Sequence, residues 1–340
     1  MRALDVVWFG VSLDTAYSGY GVLGYKLGEA LGRLVDRGMP LRLCERYDTS
    51  WDVRVYCGTP YNWMLGPNGA TATDAVLFTM FDARPIPRGW VEICNRMAAV
   101  IVPSQWVHDS FRESGVTVPI EVVQLGLDPD WYKPVQRSEH TDEFVFMAQA
   151  MRLFDRKGLM RAVEAYWSVA DQMPGSALYL KINEDTRWQT LKAKGPGKVR
   201  MFTGDWLREE MDEFVSEVDC FVYPTHGEGF GLMPLEMMAR GLPVILPAYS
   251  GLLEFADARY CYPFPVEREE PAGLYNRVFG CESRWATIDK AVLAEQMLHV
   301  YRCRDEAKTK GLAASEWVRS TFTWDRSAER TYDALRRLVL

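Results

Sequence analysis

The chain has 340 residues, of which 46 are acidic and 39 are Lys or Arg, for a formal net charge of −7, and 48% are apolar. That length exceeds one ordinary core and predicts two domains of about 150 residues each, while the negative charge offers no global basic footprint for nonspecific nucleic-acid binding. The seven cysteines are odd in number and contain no C-x-x-C pair, so neither a zinc cage nor a disulfide framework is predicted, and a reducing cytoplasm fits best.

In chain order, short β-branched runs alternate with helical periods, the pattern of parallel sheets wrapped by helices. The apolar run Val6 to Val11 is short and preceded by Asp5, so it reads as a first buried strand, Asp5–Val11, and not as a signal peptide. A helix follows from about Gly21 to Arg37, with Leu23, Leu27, Ala30, Leu31 and Leu34 on one face. Strands are predicted near Leu41–Leu43, Val53–Tyr56, Ala75–Met80, Ala99–Val102 and Ile120–Gln124, with helices near Trp90–Met97 and Gln105–Ser114. The stretch Asp128 to Asp142 holds Pro129, Pro134 and a polar run, as a linker would.

The second half restarts with strand Phe144–Ala148, helix Gly158–Gln172, strands Ala177–Ile182 and Val199–Phe202, helix Arg208–Val215 and strand Asp219–Tyr223. Two doubly wound α/β halves with a cleft between them follow, with ligands at the carboxyl ends of the strands. No run approaches the about 20 apolar residues of a membrane span. No cluster of Lys and Arg advertises membrane binding, although peripheral contact stays open.

The most informative stretch is HGEGFGLMPLEMMARGLPVI, His226 to Ile245. Gly229 and Gly231 leave backbone N–H groups free to approach a ligand. The helix predicted over Leu232–Arg240 offers its positive end to phosphate oxygens. Glu228 on the loop and Glu236 on the helix are acceptors suited to vicinal hydroxyls, one for a sugar and the other for a ribose. The apolar strand Leu242–Leu246 follows directly.

This arrangement, EGFGLMPLE followed by ARGLPVI, resembles the signature of the retaining family-4 glycosyltransferases of the GT-B fold. The resemblance implies an α/β chain of two Rossmann-like doubly wound domains facing a central cleft. An acceptor-binding domain over 1–134, a nucleotide-sugar-binding domain over 135–318 and a tail over 319–340 crossing back to the first domain are expected. It also implies transfer of a hexose from a nucleotide diphosphate sugar, UDP-, GDP- or ADP-linked, to a hydroxyl of a glycan, lipid or small molecule, with anomeric configuration retained. Neither metal nor other cofactor is expected.

The family carries an arginine and a lysine before a KG-initiated helix to hold the departing diphosphate. These roles map to Arg152 and Lys157, with Arg156 as local competitor. The loop Ser18, Gly19, Tyr20, Gly21 resembles the family's glycine-rich loop over the diphosphate. Phe230, Leu232 and His226 join the donor site through the glutamate motif. Further matches are VIVPSQWVHDSF, EVVQLGLDPDWYKP and TFTWDRSAERTYDALRRL. In the second of these, Gln124 and Leu125 replace the family's proline and asparagine, which leaves Gly126 and Asp128 a structural role.

Where many relatives place a histidine after the fourth strand, this chain reads FTMFDARPIP, making Asp82 the nearest polar candidate; Asp14 is a second. His108 and His299 fall in helical stretches and His140 in the linker. The aromatic segment Tyr47 to Trp63 is either an acceptor wall or core. Two alternatives stay open: a glycosyltransferase acting on a modified nucleic-acid base, a disfavoured partner given the charge, and a catalytically silent sugar-nucleotide-binding protein.

Overall fold

A computed structural model describes residues 2–9, 19–44, 50–60, 72–138, 143–150, 154–182, 197–204 and 206–339. The chain forms two compact units, one comprising Met1–Asp128, Asn276–Ser283 and Phe322–Leu340, the other Pro129–Tyr275 and Arg284–Thr321.

The first unit runs β1 (Leu4–Phe9), α1 (Gly19–Asp36), β2 (Leu41–Cys44), β3 (Val53–Cys57), β4 (Ala72–Phe78), α2 (Arg88–Cys94), β5 (Met97–Val102), α3 (Gln105–Glu113) and β6 (Ile120–Val122). Its strands form a parallel sheet in the order β2-β1-β3-β4-β5-β6. Val6, Val55, Leu77 and Ile101 are completely buried, as a sheet covered on both faces requires. The predicted stripe of α1 is its buried face. At the start of α3 the Ser104 side chain accepts from Val107 N, an N-cap that satisfies one of the helix's orphan donors.

The second unit runs β7 (Phe144–Ala150), α4 (Phe154–Lys157), α5 (Leu159–Val169), β8 (Ser176–Ile182), β9 (Lys198–Thr203), α6 (Arg208–Ser216), β10 (Cys220–Val222), α7 (Leu232–Ala239), β11 (Val244–Pro247), β12 (Tyr262–Phe264), β13 (Glu269–Pro271), α8 (Gly273–Phe279), β14 (Arg284–Ala286), α9 (Lys290–Arg302) and α10 (Arg304–Thr321). Its main sheet is parallel in the order β12-β11-β10-β7-β8-β9, and β13 pairs antiparallel with β14. Every residue of β7 and β8 is buried.

The last helix, α11 (Trp324–Val339), returns to the first unit and packs on α1. Asp325 accepts from Arg33 at 2.9 and 2.7 Å and also from Arg37. The crossing explains Gly126: a Cβ there would stand 2.2 Å from the Thr323 carbonyl carbon, beside the Leu127 N to Phe322 O hydrogen bond of 3.0 Å.

The partition differs from the three expected spans. The first unit ends at Asp128, ahead of the proline-bearing linker, and it also takes in 276–283. There the Phe279 ring meets Phe81 edge-on at 5.3 Å, an apolar contact that no local periodicity announces. None of the helices found among the described residues is long and apolar enough to cross a membrane.

Candidate functional site

In the second unit the chain goes from β7 outward to β8 and β9, then returns to the other side of β7 with β10. The gap between β7 and β10 is therefore the topological switch point, where a doubly wound sheet opens a crevice at its carboxyl end. The segments after β7, β10 and β11 meet there.

After β7, Arg156 and Lys157 end the short α4, and Gly158 turns the chain into α5 with φ +64. A Cβ on Gly158 would lie 2.0 Å from Pro224 O, so this glycine lets the cation-bearing turn press against the β10 loop. His226 N donates to Arg156 O at 2.7 Å, locking the two loops together. After β11, Ser250 adopts φ +57, a left-handed conformation costly for a residue with a side chain. In that pose Ser250 Oγ accepts from Glu228 N at 3.0 Å, and Gly251 N donates to Glu228 O at 2.9 Å.

These contacts hold Glu228 in a buried, 6% exposed position where four donors reach its Oε1. Lys157 Nζ stands at 2.6 Å, Arg156 Nη1 at 2.8 Å, Tyr223 OH at 2.8 Å and Thr225 Oγ1 at 2.9 Å. Lys157 also donates to the Tyr223 hydroxyl. Burial alone would raise the carboxyl, but the charges of Arg156 and Lys157, with the Lys157 and Tyr223 hydrogen bonds, bring it down to about 2. Among the described residues two cations share this one carboxylate in a largely dry setting, where charge-assisted hydrogen bonds are strong.

The two glutamates thus occupy different environments. Glu228, expected to read a sugar directly, has Oε1 committed to the cation cluster. Glu236, on α7, is half-buried, and its Oε1 accepts from Tyr132 OH at 3.0 Å. Burial raises its carboxyl, against the lowering effects of the Arg240 charge and the Tyr132 hydrogen bond.

Gly231 opens α7 with φ +103 as an N-cap residue that has no side chain to offer. Gly229 and Phe230 are buried in the loop, the Phe230 ring edge-on to Phe255 at 5.6 Å, and Leu232 is the first helical residue. His226 is 5% exposed; its Nδ1 donates to Ala286 O at 2.6 Å, which leaves Nε2 as the remaining ring nitrogen. Beside it, 5.3 Å between ring centroids, lies Trp285, whose buried Nε1 has no hydrogen-bond partner among the described residues.

Gly19, Tyr20 and Gly21, expected on a loop, form the first turn of α1. The Tyr20 hydroxyl donates to Met80 O at 2.6 Å and accepts from Met80 N at 3.0 Å, so it ties α1 to the chain after β4. Asp82 is half-buried in the bend after Phe81, whose ring meets Trp90 edge-on at 5.0 Å. Arg152, Asp14, Ser18, Tyr47, Trp63 and His140 lie outside the described residues.

Sequence reasoning named Arg156 only as a competitor and missed Tyr132, Tyr223, Thr225 and Ser250. The WYKP aromatic pair and the Ser-Gly step after β11 were the available signals. Among the described residues, His299, Cys303 and Glu306 form the group whose potential metal-ligand atoms lie within 4.8 Å of one another. It sits at the α9–α10 junction, and Lys310 Nζ, 3.7 Å from Glu306, opposes a cation there.

Two parallel-sheet Rossmann-like units make this a GT-B fold. Anabaena Alr3699/HepE, solved in complex with UDP and glucose, matches with a TM-score of 0.67 at 14% identity, covering 99% of this chain and 100% of that one. WaaG, a glycosyltransferase involved in lipopolysaccharide biosynthesis, matches with a TM-score of 0.61 at 15% identity, covering 98% of each chain. At such identities the likeness concerns the fold.

Residues 133–261 match the family Glycosyl transferases group 1, and that span includes Arg156, Lys157, His226, Glu228, Glu236 and Ser250. A GDP-mannose-dependent alpha-(1-6)-phosphatidylinositol monomannoside mannosyltransferase of Mycobacterium tuberculosis is 25% identical over 240 residues, 65% of this chain and 57% of the relative. The lipopolysaccharide glucosyltransferase WaaG of Escherichia coli is 29% identical over 110 residues, 31% of this chain and 29% of the relative. The chain thus spans little more than half the length of the first of these relatives and less than a third of the second.

Proposed function

We propose that the protein is a retaining, metal-independent glycosyltransferase that moves a sugar from a nucleotide diphosphate sugar to an acceptor hydroxyl. The observation that carries this reading is the half-buried Arg156 and the buried Lys157 sharing the carboxylate of Glu228 at the switch point. Two cations set side by side suit a diphosphate, and the start of α7 adds its own positive end. Lys157 and Arg156 stabilise the departing diphosphate, and Arg152 joins them on the strength of the family resemblance.

Glu228 acts through the cations, keeping both charged and aimed, while Glu236 accepts from the ribose hydroxyls. Transfer with retention follows a front-face path in which the bond from the anomeric carbon to the diphosphate oxygen breaks as the acceptor oxygen bonds on the same face. The departing diphosphate oxygen takes the acceptor's proton. The protein's contribution is positioning and charge stabilisation in a site that excludes water.

The test is thermal stabilisation and nucleoside diphosphate release with UDP-glucose, GDP-mannose and ADP-glucose. A donor at 100 times its dissociation constant adds about 2.7 kcal/mol of stability. Neither stabilisation nor release with any donor would overturn the reading, and stabilisation without release would replace it with that of a silent sugar-nucleotide-binding protein.

A further inference from the structure

Tyr132 lies just beyond the unit boundary, in the segment that leads into the second unit. Its hydroxyl donates to Glu236 Oε1 at 3.0 Å, while its ring stacks on the Arg240 guanidinium with 4.6 Å between the guanidinium carbon and the ring centroid. Arg240 is itself fixed: it is 3% exposed, and both Nε and Nη2 reach Asp212 Oδ1 at 2.8 Å. Val135 N donates to Arg240 O at 2.9 Å, which anchors the same segment from its other end. The groups facing Glu236 are therefore Tyr132 and Arg240, with Asp212 behind Arg240.

We propose that Tyr132 is a positioning residue for Glu236: by occupying Oε1 it sets the carboxylate so that Oε2 is presented to the vicinal hydroxyls of the nucleotide ribose. This rests on the reading of Glu236 as the ribose acceptor. A glutamate has three rotatable bonds, and half-buried at a site mouth it would otherwise sample several rotamers. The phenol removes that freedom without contributing a charge. The Glu236 charge, followed by burial, keeps the Tyr132 phenol above its ordinary range, so the tyrosine is the donor of the pair.

The experiment is calorimetry of the full chain and of Tyr132→Phe with UDP, GDP and ADP, each against its 2′,3′-dideoxy counterpart. The variant should bind the best ribonucleotide about tenfold more weakly, in keeping with a lost hydrogen bond to a charged acceptor. The dideoxy counterpart should bind both proteins alike. The KM for the donor sugar should rise by a similar factor while kcat holds, and the acid limb of nucleotide affinity should move to higher pH, because Glu236 loses a donor that favours its ionised form.

Equal losses for ribonucleotide and dideoxynucleotide, or no loss for either, would overturn the proposal. Glu236→Gln separates the two failures. If Glu236→Gln weakens the ribonucleotide selectively and Tyr132→Phe does not, the positioning role alone falls. If neither substitution weakens the ribonucleotide selectively, or the wild type binds no nucleotide, the reading of Glu236 falls as well.

Discussion

Lys157 Nζ donates to Glu228 Oε1 across 2.6 Å, and the two residues come from the segments after different strands, β7 and β10. A buried pair of this kind is weak ground for claiming stability, since desolvation of two charges offsets much of their attraction. Its consequence is electrostatic: among the described residues one carboxylate, that of Glu228, faces two cations.

That arrangement has a pH signature. The Glu228 carboxyl titrates near 2 in the folded protein against an ordinary value of 4.5, so its contribution to stability is fully present above 4.5 and is lost as pH falls toward 2. Urea unfolding followed between pH 5 and 3 should show stability falling less steeply in Glu228→Gln than in the wild type. Parallel slopes would show that the carboxylate is not held ionised by its neighbours.

Lys157→Met should separate folding from turnover. The variant leaves Glu228 with its Arg156, Tyr223 and Thr225 donors, so the fold should survive. Loss of a cation from a departing diphosphate should lower kcat roughly 10²–10³-fold, the scale seen when one oxyanion donor is removed. Single-turnover kinetics with the best donor checks this, and a loss below about tenfold would move Lys157 out of the reaction.

Activity should persist in excess EDTA, because Arg156 and Lys157 supply the charge that a divalent ion would otherwise bring. Loss with chelator and recovery with magnesium or manganese would refute this. The same product, examined by NMR, should retain the donor's anomeric configuration.

Much of the fold was legible because buried strands such as Phe144–Ala150 and amphipathic helices such as α1 write their period into the chain. Between Tyr262 and Thr321 only a helical stretch at His299 was read. Strands of three residues, among them Glu269–Pro271, have no period to show, and the contact of Phe279 with Phe81 inside the first unit joins residues far apart in the chain. At the site, the glycine and glutamate spacing singled out the loop after β10 and the start of α7. The pairing within it was hidden, since which of Arg152, Arg156 and Lys157 meets Glu228 depends on how two distant loops pack. Tyr132 is 104 residues from Glu236 along the chain, beyond the reach of any local pattern.

The glycines of the two units make opposite predictions on replacement by alanine. Gly158 has φ +64 and would place a Cβ 2.0 Å from Pro224 O, so Gly158→Ala must displace the turn carrying Lys157 or the loop leading to Glu228. It should lose roughly 2 kcal/mol or more from the left-handed conformation and the overlap together. Gly19 opens α1, and a Cβ added to it would meet no atom of the described residues within 4 Å, so Gly19→Ala should be neutral or add about 0.4–1 kcal/mol by restricting the unfolded chain. Thermal melts of both variants decide the structural part: a stable Gly158→Ala, or a destabilised Gly19→Ala, would contradict the backbone described for that turn. Turnover then tests the ligand role expected of Gly19. If Gly19→Ala melts at or above the wild-type temperature yet loses kcat/KM by tenfold or more, close approach of that backbone to a ligand is the remaining cause; unchanged kcat/KM would confine Gly19 to starting the helix.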